Sequence, residues 1–386
     1  MVTPFVISVP DAVLDDLRTR VRSSRFTAAS STTPWGSGVD PDFLHDLALH
    51  WSHRFDWRAA ERRLNAFPQF IARVNGVRTH FVHLRAETHG SDSSRARAAV
   101  PLLLAHGWPS SFVEMLALAD RLANPSRHGA PGKPAYDVVI PSLPGFLFSD
   151  LPDGPLTRAR IGETFHMLMT EVLGYSSYGL FGGDVGGVSA AWTAAAHPDE
   201  VVGILQIHPS FPASFDEPIT EAEQSFLDAE ARYDETDGGY SAIMITRPDT
   251  IAAALVDSPV GLAAWIIDKY RDWSDCDGDV STRWDRDTLL TIITLYWATG
   301  CIGSSFRQYV DYDTNGPRPI VTVPAAFTLS TEPGMTGFPR SIAERAYSDI
   351  RSWHTPGTGG HFLAHEEPAL AASELRAFFT SLAETP

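Results

Sequence analysis

A glycine-rich turn directly after a short apolar run is the feature that most restricts the fold of this chain. Residues 178–181 have the character of a buried strand, and Gly-Gly-Asp-Val-Gly follows at 182–186. Glycines on both sides of one side chain permit a sharp turn from a strand into a helix, which exposes that side chain above a sheet. Asp184 then occupies the position of a nucleophile, although Gly and Asp are also common in ordinary turns.

An aspartate at this position changes the chemistry that the turn supports. A serine must lose its proton before it attacks an acyl carbon, whereas a carboxylate with a pKa of about 4 is already an anion at neutral pH. Carboxylates are poor at acyl transfer but competent at displacement on strained or activated sp3 carbon. The turn therefore favours the opening of an epoxide or the expulsion of a halide over the cleavage of esters and peptides.

Composition and charge narrow the class of protein. Of 386 residues, 44% are hydrophobic and 20% charged, which is typical of a globular chain with a large core. The net charge of −17 disfavours nucleic acid and anionic membrane surfaces as partners. Cys276 and Cys301 are the only cysteines, so we expect neither a disulfide framework nor a cysteine zinc site. Without a signal peptide or a long apolar run, we expect a cytoplasmic protein with no membrane anchor.

The order of the predicted elements indicates an α/β protein. Residues 1–70 have helical spacing with Asp11 as a candidate N-cap, and Asn75-Gly76 between alternating runs predicts a β-hairpin. Beyond a polar loop at 86–98, predicted helices separate four buried strands, at 101–105, 136–140, 178–181 and 201–207. This alternation is typical of a parallel sheet covered on both faces.

A long helical segment then interrupts the alternation. Residues 212–316 are rich in Trp and Tyr and contain no predicted strand, and an apolar run at 320–329 resumes the sheet. We predict an inserted helical cap over the carboxyl edge of the sheet. The domains are then an N-terminal helical meander at 1–70, a core at 71–211 and 317–386, and a cap at 212–316.

Two further residues complete a candidate catalytic triad in the order nucleophile, acid, base. Glu332 is the first carboxylate after the run at 320–329, and His361 lies on the loop Gly-Gly-His-Phe at 359–362. His354 and His365 are rivals for the base, but the flanking glycines let the loop of His361 approach closely. This order fits the α/β-hydrolase fold, a mostly parallel sheet with helices on both faces.

His361 belongs to a second half-reaction, because Asp184 has no proton to lose to it. Once Asp184 has become an ester, neutral His361 can deprotonate an attacking water while Glu332 fixes its tautomer. The oxyanion then needs donors, for which the N–H groups of Val185 and Trp108 are candidates. Pro109 joins Trp108 and Val185 as a candidate substrate contact. Tyrosines of the cap suit protonation of an epoxide oxygen, but spacing does not select among them.

Motifs along nearly the whole chain resemble the epoxide hydrolase family that includes the microsomal and insect juvenile-hormone epoxide hydrolases. The similar segments lie at 4–70, 106–109, 141–146, 182–184, 257–264, 295–297, 359–362 and 366–368. The resemblance implies the same nucleophile, base and charge partner. It also implies that Tyr240 and Tyr309 activate the epoxide, and that neither a metal nor an organic cofactor is needed.

The chain departs from the family pattern at two residues near the site. Many members have Trp directly after the nucleophile, where this chain has Val185, and Leu147 stands where glycine is usual. Both changes alter the shape of the pocket. We expect the substrate to be a small-molecule, apolar epoxide. The sequence leaves open whether the chain forms a homodimer and whether it serves detoxification or secondary metabolism.

Two alternatives use the same fold. A haloalkane or haloacid dehalogenase shares the Asp–His–acid triad and could hold a halide through Trp108, but the tyrosine pair argues against it. A non-catalytic receptor built on an α/β-hydrolase pocket is disfavoured because nucleophile, acid, base and oxyanion donors are all present.

Overall fold

The computed structural model describes residues 1–87, 100–209 and 218–384, which form a nine-stranded sheet flanked by helices. In chain order, strands β1 to β9 are Thr3–Phe5, Gln69–Val74, Val77–Leu84, Leu102–Ala105, Val138–Pro141, Tyr178–Gly182, Val201–Gln206, Ala325–Thr328 and Ile350–His354. Their order across the sheet is β1-β2-β3-β5-β4-β6-β7-β8-β9. The pairs from β1 to β5 are antiparallel and all pairs from β5 onward are parallel.

Helices cover both faces of the sheet and build the segment above its carboxyl edge. In the described ranges, α1 to α16 are Asp11–Arg22, Pro41–His53, Trp57–Asn65, Phe112–Ala123, Arg158–Met167, Asp184–Ala196, Glu221–Asp237, Gly239–Thr246, Pro248–Asp257, Pro259–Trp273, Arg286–Thr299, Ile302–Ser305, Arg307–Val310, Arg340–Glu344, Leu363–Glu366 and Pro368–Glu384. Short 3-10 turns occur at Pro125–His128, Val280–Thr282, Tyr312–Thr314 and Pro333–Met335, and the π-helical turn Leu168–Val172 extends α5.

The predicted fold class is confirmed. Strands β4 to β9 are parallel, with the strand that precedes Asp184 in the interior of the sheet. The hairpin at Asn75-Gly76 joins β2 to β3, and both turn residues have the positive φ that this tight turn requires, 48° and 79°. Residues 218–316, the described part of the predicted cap, contain helices and no strand.

Three local predictions were wrong. Asp11 is the first residue of α1 rather than its N-cap, because its carboxylate pairs with Arg58 instead of a helix N–H group. The N-terminal segment also begins with β1, which pairs with β2. Of the run at 320–329, only Ala325–Thr328 forms a strand, since Pro324 has no N–H group to offer a neighbouring strand. The predicted loop at 86–98 falls largely outside the described residues.

The N-terminal helices contact the predicted cap. Trp51 Nε1 in α2 donates a hydrogen bond to Thr294 Oγ1 in α11 at 3.1 Å. Arg20 at the end of α1 pairs with Asp257 at the end of α9 at 2.7 Å. These contacts join the first and third predicted domains directly rather than through the sheet.

Within the described ranges no single helix combines the length and apolar composition of a membrane span. Two bent helix pairs meet both criteria jointly, Pro248–Asp257 with Pro259–Trp273 and Arg286–Thr299 with Ile302–Val310.

The close packing of α5 on α6, the helix that begins with Asp184, depends on Gly162. A Cβ atom there would lie 2.8 Å from the main-chain oxygen of Ser189 and 2.8 Å from Thr193 Oγ1. We expect Gly162→Ala to lower the free energy of unfolding by about 1–3 kcal/mol, measured by urea denaturation. Gly239→Ala is the control, since nothing lies within 4 Å of its added Cβ. Equal stability of the two variants would contradict this account.

Candidate active site

Asp184 lies at a strained turn between β6 and α6. Its φ of +49° is in the left-handed region that residues other than glycine rarely adopt. The turn is possible because glycines flank it: a Cβ at Gly186 would lie 2.2 Å from the main-chain oxygen of His106, and one at Gly182 would lie 2.8 Å from that of Ala105. The elbow is therefore pressed against the end of β4, and the carboxylate stands at the carboxyl edge of the sheet.

The loop after β4 contacts this carboxylate. The N–H of Trp108 donates to Asp184 Oδ1 at 2.9 Å. Glycine is required at 107, where a Cβ would lie 2.4 Å from the same oxygen. Pro109 follows through a cis peptide bond. Val185 is in the first turn of α6, where N–H groups have no partner within the helix. Its contribution to the oxyanion hole stays a prediction.

The structure brings His361, and neither of its rivals, to Glu332. His361 Nδ1 hydrogen-bonds Glu332 Oε2, and the two side chains are only 10% and 13% exposed. His354 pairs instead with Glu374 at 3.0 Å. His365 stacks on Trp284 with their ring centroids 3.8 Å apart. The carboxylate after β8 and the histidine of the glycine loop thus form the pair that the chain order predicts.

A second carboxylate, which the sequence analysis did not single out, shapes the loop of His361. Glu366 Oε2 accepts the N–H groups of Gly360 at 3.0 Å and of Asp275, in the cap, at 2.8 Å. Its Oε1 accepts the N–H of Phe362 at 3.0 Å. Glu366 therefore holds the residues on both sides of His361 and ties them to the cap. The sequence signals for this contact are a carboxylate a few residues after a Gly-Gly turn and the resemblance of the segment at 366–368.

Electrostatics favour a charged base in the resting site. Burial works to lower the pKa of His361, but the Glu332 carboxylate and its hydrogen bond, with smaller contributions from Asp184 and Glu114, raise that pKa to about 9. Burial likewise opposes ionisation of Glu332, yet the two histidines that contact it hold its pKa below the ordinary value. Near neutral pH His361 is therefore an imidazolium between anionic carboxylates.

The two tyrosines implied by the resemblance meet beside Trp108. The Tyr240 ring stacks on Trp108 at 5.5 Å between centroids, and Tyr309 contacts the same indole edge-on at 5.8 Å. The tyrosine rings lie 6.1 Å apart. Burial above all, with the charge of nearby Asp184 among the further causes, raises the pKa of both phenols. Both hydroxyls therefore remain protonated donors.

Each of these tyrosines also has a buried cation nearby, and neither cation was predicted. Lys269 Nζ lies 4.9 Å from the ring centroid of Tyr240 and pairs with Asp237. Arg158 Nη2 donates at 2.8 Å to the side chain of Gln308, the neighbour of Tyr309. For Arg158, no ion pair is found in the described part of the chain. Both cations come from helices remote in sequence, so no motif around either tyrosine predicts them.

Among the residues that the structure describes, two sets of side chains have ligand atoms close enough for one metal ion, His208 with Glu332 and His361, and His166 with His197 and Glu200. In the first set both nitrogens of His208 are already hydrogen-bonded within the protein. In the second the imidazoles stack in parallel at 3.5 Å, so their in-plane lone pairs run side by side instead of converging. Neither geometry favours a metal centre.

Glu114 in α4 is a further buried carboxyl near the base. Burial raises its pKa from 4.5 to about 7. Ionisation of Glu114 therefore destabilises the folded state progressively as the pH rises from 4.5 to about 7. Glu114→Gln removes this cost of ionisation. We therefore expect the difference in free energy of unfolding, variant minus unmodified chain, to increase by roughly 3 kcal/mol between pH 4 and pH 8. Urea denaturation at both pH values measures this difference, and Glu235→Gln, at an exposed position, is the control. A difference that does not change with pH would contradict the prediction.

Comparisons with known proteins agree with the geometry. Residues 2–115 match the family model "Epoxide hydrolase N terminus", and residues 100–239 match "alpha/beta hydrolase fold". The chain is 38% identical to a proposed epoxide hydrolase of Stigmatella aurantiaca, covering 99% of this chain and 85% of that one. It is 30% identical to epoxide hydrolase 1 of Sus scrofa, covering 98% and 88%.

Solved structures lead to the same family. Juvenile hormone epoxide hydrolase of the silkworm Bombyx mori has a TM-score of 0.84 at 27% identity, over 100% of this chain and 95% of that one. Aspergillus niger epoxide hydrolase has a TM-score of 0.83 at 27% identity, over 99% and 97%. The chain therefore belongs to the epoxide hydrolase family and has the α/β-hydrolase fold.

Proposed function

We propose that this epoxide hydrolase converts its substrate to a vicinal diol through an ester on Asp184. The observation that carries this mechanism is the Asp184 carboxylate at a strained elbow, held by Trp108 N–H at 2.9 Å. Its relatives are named for action on epoxides, including an epoxide hydrolase of Sus scrofa and a juvenile hormone epoxide hydrolase of Bombyx mori. An epoxide is strained enough for a carboxylate to open, which an ordinary ester or amide is not.

In the first half-reaction Asp184 acts as the nucleophile. The Trp108 amide engages Oδ1, which leaves Oδ2 free to attack an epoxide carbon. As the new C–O bond forms, the old one breaks and its electrons move to the epoxide oxygen. Tyr240 and Tyr309, kept protonated by their raised pKa values, hydrogen-bond that oxygen and supply its proton. The product is a hydroxyalkyl ester of Asp184.

The second half-reaction follows from the change in charge at Asp184. Esterification removes one of the negative charges that raise the pKa of His361, so the imidazolium releases its proton more readily than in the resting site. The released proton replaces the one that the tyrosines gave to the epoxide oxygen. Neutral His361, held by Glu332, then takes a proton from the water that attacks the ester carbon. The tetrahedral intermediate collapses with cleavage of the ester C–O bond, its hydroxyl proton passes to the departing alkoxide, and the diol leaves with the Asp184 carboxylate and the His361 imidazolium restored. The Trp108 N–H already lies where negative charge develops on the former carboxylate oxygen. Alkylation thereby activates the base when it is needed.

For the substrate we propose an apolar epoxide, supported by the apolar surfaces of Trp108, Pro109 and Val185 beside the nucleophile. Val185 is only 3% exposed and is smaller than the Trp common in the family. The cytoplasmic location and a homodimer stay predictions from the sequence.

Replacement of the base should separate the two half-reactions. We expect His361→Gln to form the ester but to hydrolyse it about 10²- to 10⁴-fold more slowly, because the general base that Glu332 orients has been removed. Peptide mass spectrometry after brief exposure to styrene oxide should find the adduct on the Asp184 peptide. His354→Gln, which alters a histidine paired with Glu374 elsewhere, is the matched control. Rapid multiple turnover by His361→Gln would refute the scheme.

Removal of the two phenol hydroxyls should slow the first half-reaction. In a Tyr240→Phe, Tyr309→Phe double variant we expect alkylation to fall by about 10²-fold or more, since the alkoxide loses its proton donors. Single-turnover tryptophan fluorescence reports this step, because Trp108 stacks on Tyr240. Tyr312→Phe, an exposed tyrosine of the same segment, is the control. Alkylation at the unmodified rate in the double variant would show that these tyrosines are not the donors.

A further inference from the structure

His208 lies between the nucleophile and the charge partner of the base. Strand β7 pairs with β6 on one side and with β8 on the other, and all three are parallel. Asp184 follows β6 and Glu332 follows β8, so the segment that follows β7 must pass between them at the same edge. His208 is the second residue of that segment and is 9% exposed.

Each ring nitrogen of His208 contacts a different part of the catalytic site. Nδ1 accepts a hydrogen bond from the main-chain N–H of Asp184 at 3.1 Å. Nε2 lies 3.0 Å from Glu332 Oε1 and 3.1 Å from Ser330 Oγ. The other oxygen of Glu332 bonds His361, whose ring lies 4.7 Å from that of His208. Gly183 permits this approach, because a Cβ there would lie 3.0 Å from His208 Nδ1.

These partners determine the tautomer of His208. A main-chain N–H can only donate, so Nδ1 must carry a lone pair and the ring proton must be on Nε2. An ionised carboxylate can only accept, which suits a donor at Nε2. A second proton on Nδ1 would set two donors against each other and break the bond to Asp184. Both ring nitrogens of His208 are therefore engaged within the protein rather than with substrate or water.

We infer that His208 is a positioning residue that couples the elbow of Asp184 to the charge partner of His361. The inference rests on the proposed function, because it assigns the two ends of the chain of hydrogen bonds to the two half-reactions. The bond to the Asp184 N–H holds a strained main chain and thereby orients the attacking carboxylate. The bond to Glu332 draws negative charge from the carboxylate and fixes its plane against His361.

Two substitutions cut one link each. His208→Asn offers a side-chain oxygen near the position of Nδ1 and does not reach Glu332. His208→Gln places an amide donor near the position of Nε2 and leaves the Asp184 N–H without its acceptor. Single-turnover kinetics with styrene oxide over pH 6–10 give the alkylation and ester-hydrolysis rates of each variant separately, and thermal unfolding shows that both variants fold.

We expect opposite effects in the two variants. In His208→Asn, alkylation should stay within about threefold of the unmodified rate. Its ester hydrolysis should fall about 10- to 100-fold at pH 7, with the pH profile shifted to higher pH, because Glu332 returns more charge to His361. In His208→Gln, alkylation should fall about tenfold or more and the hydrolysis profile should keep its position. Equal losses in both steps with unshifted profiles would mean a structural contribution only and would overturn the inference.

Other outcomes separate the inference from the proposed function. An ester trapped by His208→Asn as completely as by His361→Gln would make His208 the base and overturn its assignment as a positioning residue. A measurement without substrate tests the tautomer: long-range 1H–15N spectra of the unmodified protein should show His208 protonated at Nε2 alone from pH 6 to pH 8. A charged ring or an Nδ1–H tautomer would overturn the inference even if no epoxide is turned over. A protein that forms no ester, with His208 in the expected tautomer, would refute the proposed function and leave the positioning contacts standing.

Discussion

The approach of three main-chain segments to one another is the constraint on which the active site depends. The end of β4, the elbow after β6 and the segment after β7 meet at distances that leave no room for a Cβ at 107, 183 or 186. Glycine at these positions lets the Trp108 N–H reach the Asp184 carboxylate and lets His208 accept a hydrogen bond from the main-chain N–H of Asp184. The left-handed conformation of Asp184 is retained because these contacts surround it.

The charge of one carboxylate links the groups around it. While Asp184 is anionic, it helps to raise the pKa of His361 and of both tyrosines. In the proposed mechanism the two tyrosines are therefore protonated in the state that attacks, and His361 becomes available as the base when that charge is lost. The same side chains can in this way serve alkylation, which requires proton donors, and ester hydrolysis, which requires a proton acceptor, without any change of fold.

The chain order and the fold together account for what the sequence could predict. Asp184 and Glu332 follow parallel strands, and His361 has glycines beside it, so a pattern in the chain places each of them at one edge of the sheet. Tyr240 and Tyr309 lacked such a pattern, and only the resemblance distinguished them from the aromatic core. Lys269, Arg158 and Glu114 could not be predicted, because they act through space from helices whose packing is decided by the whole fold. His208 could be predicted only in part. The sequence places it directly after the strand at 201–207, but the strand order that puts it between Asp184 and Glu332 is known only from the structure.

Residues outside the proposed triad also influence the shape of the active site, as Leu147 and the N-terminal helices illustrate. Leu147 has a φ of +47° at a position where the resemblance implies glycine, so this chain accommodates a strained backbone there. The N-terminal helices contact the predicted cap through Trp51 and Arg20. A chimaera built from two relatives should therefore exchange the first helices and the cap together. A cap transplanted alone would arrive without the surface that aligns it.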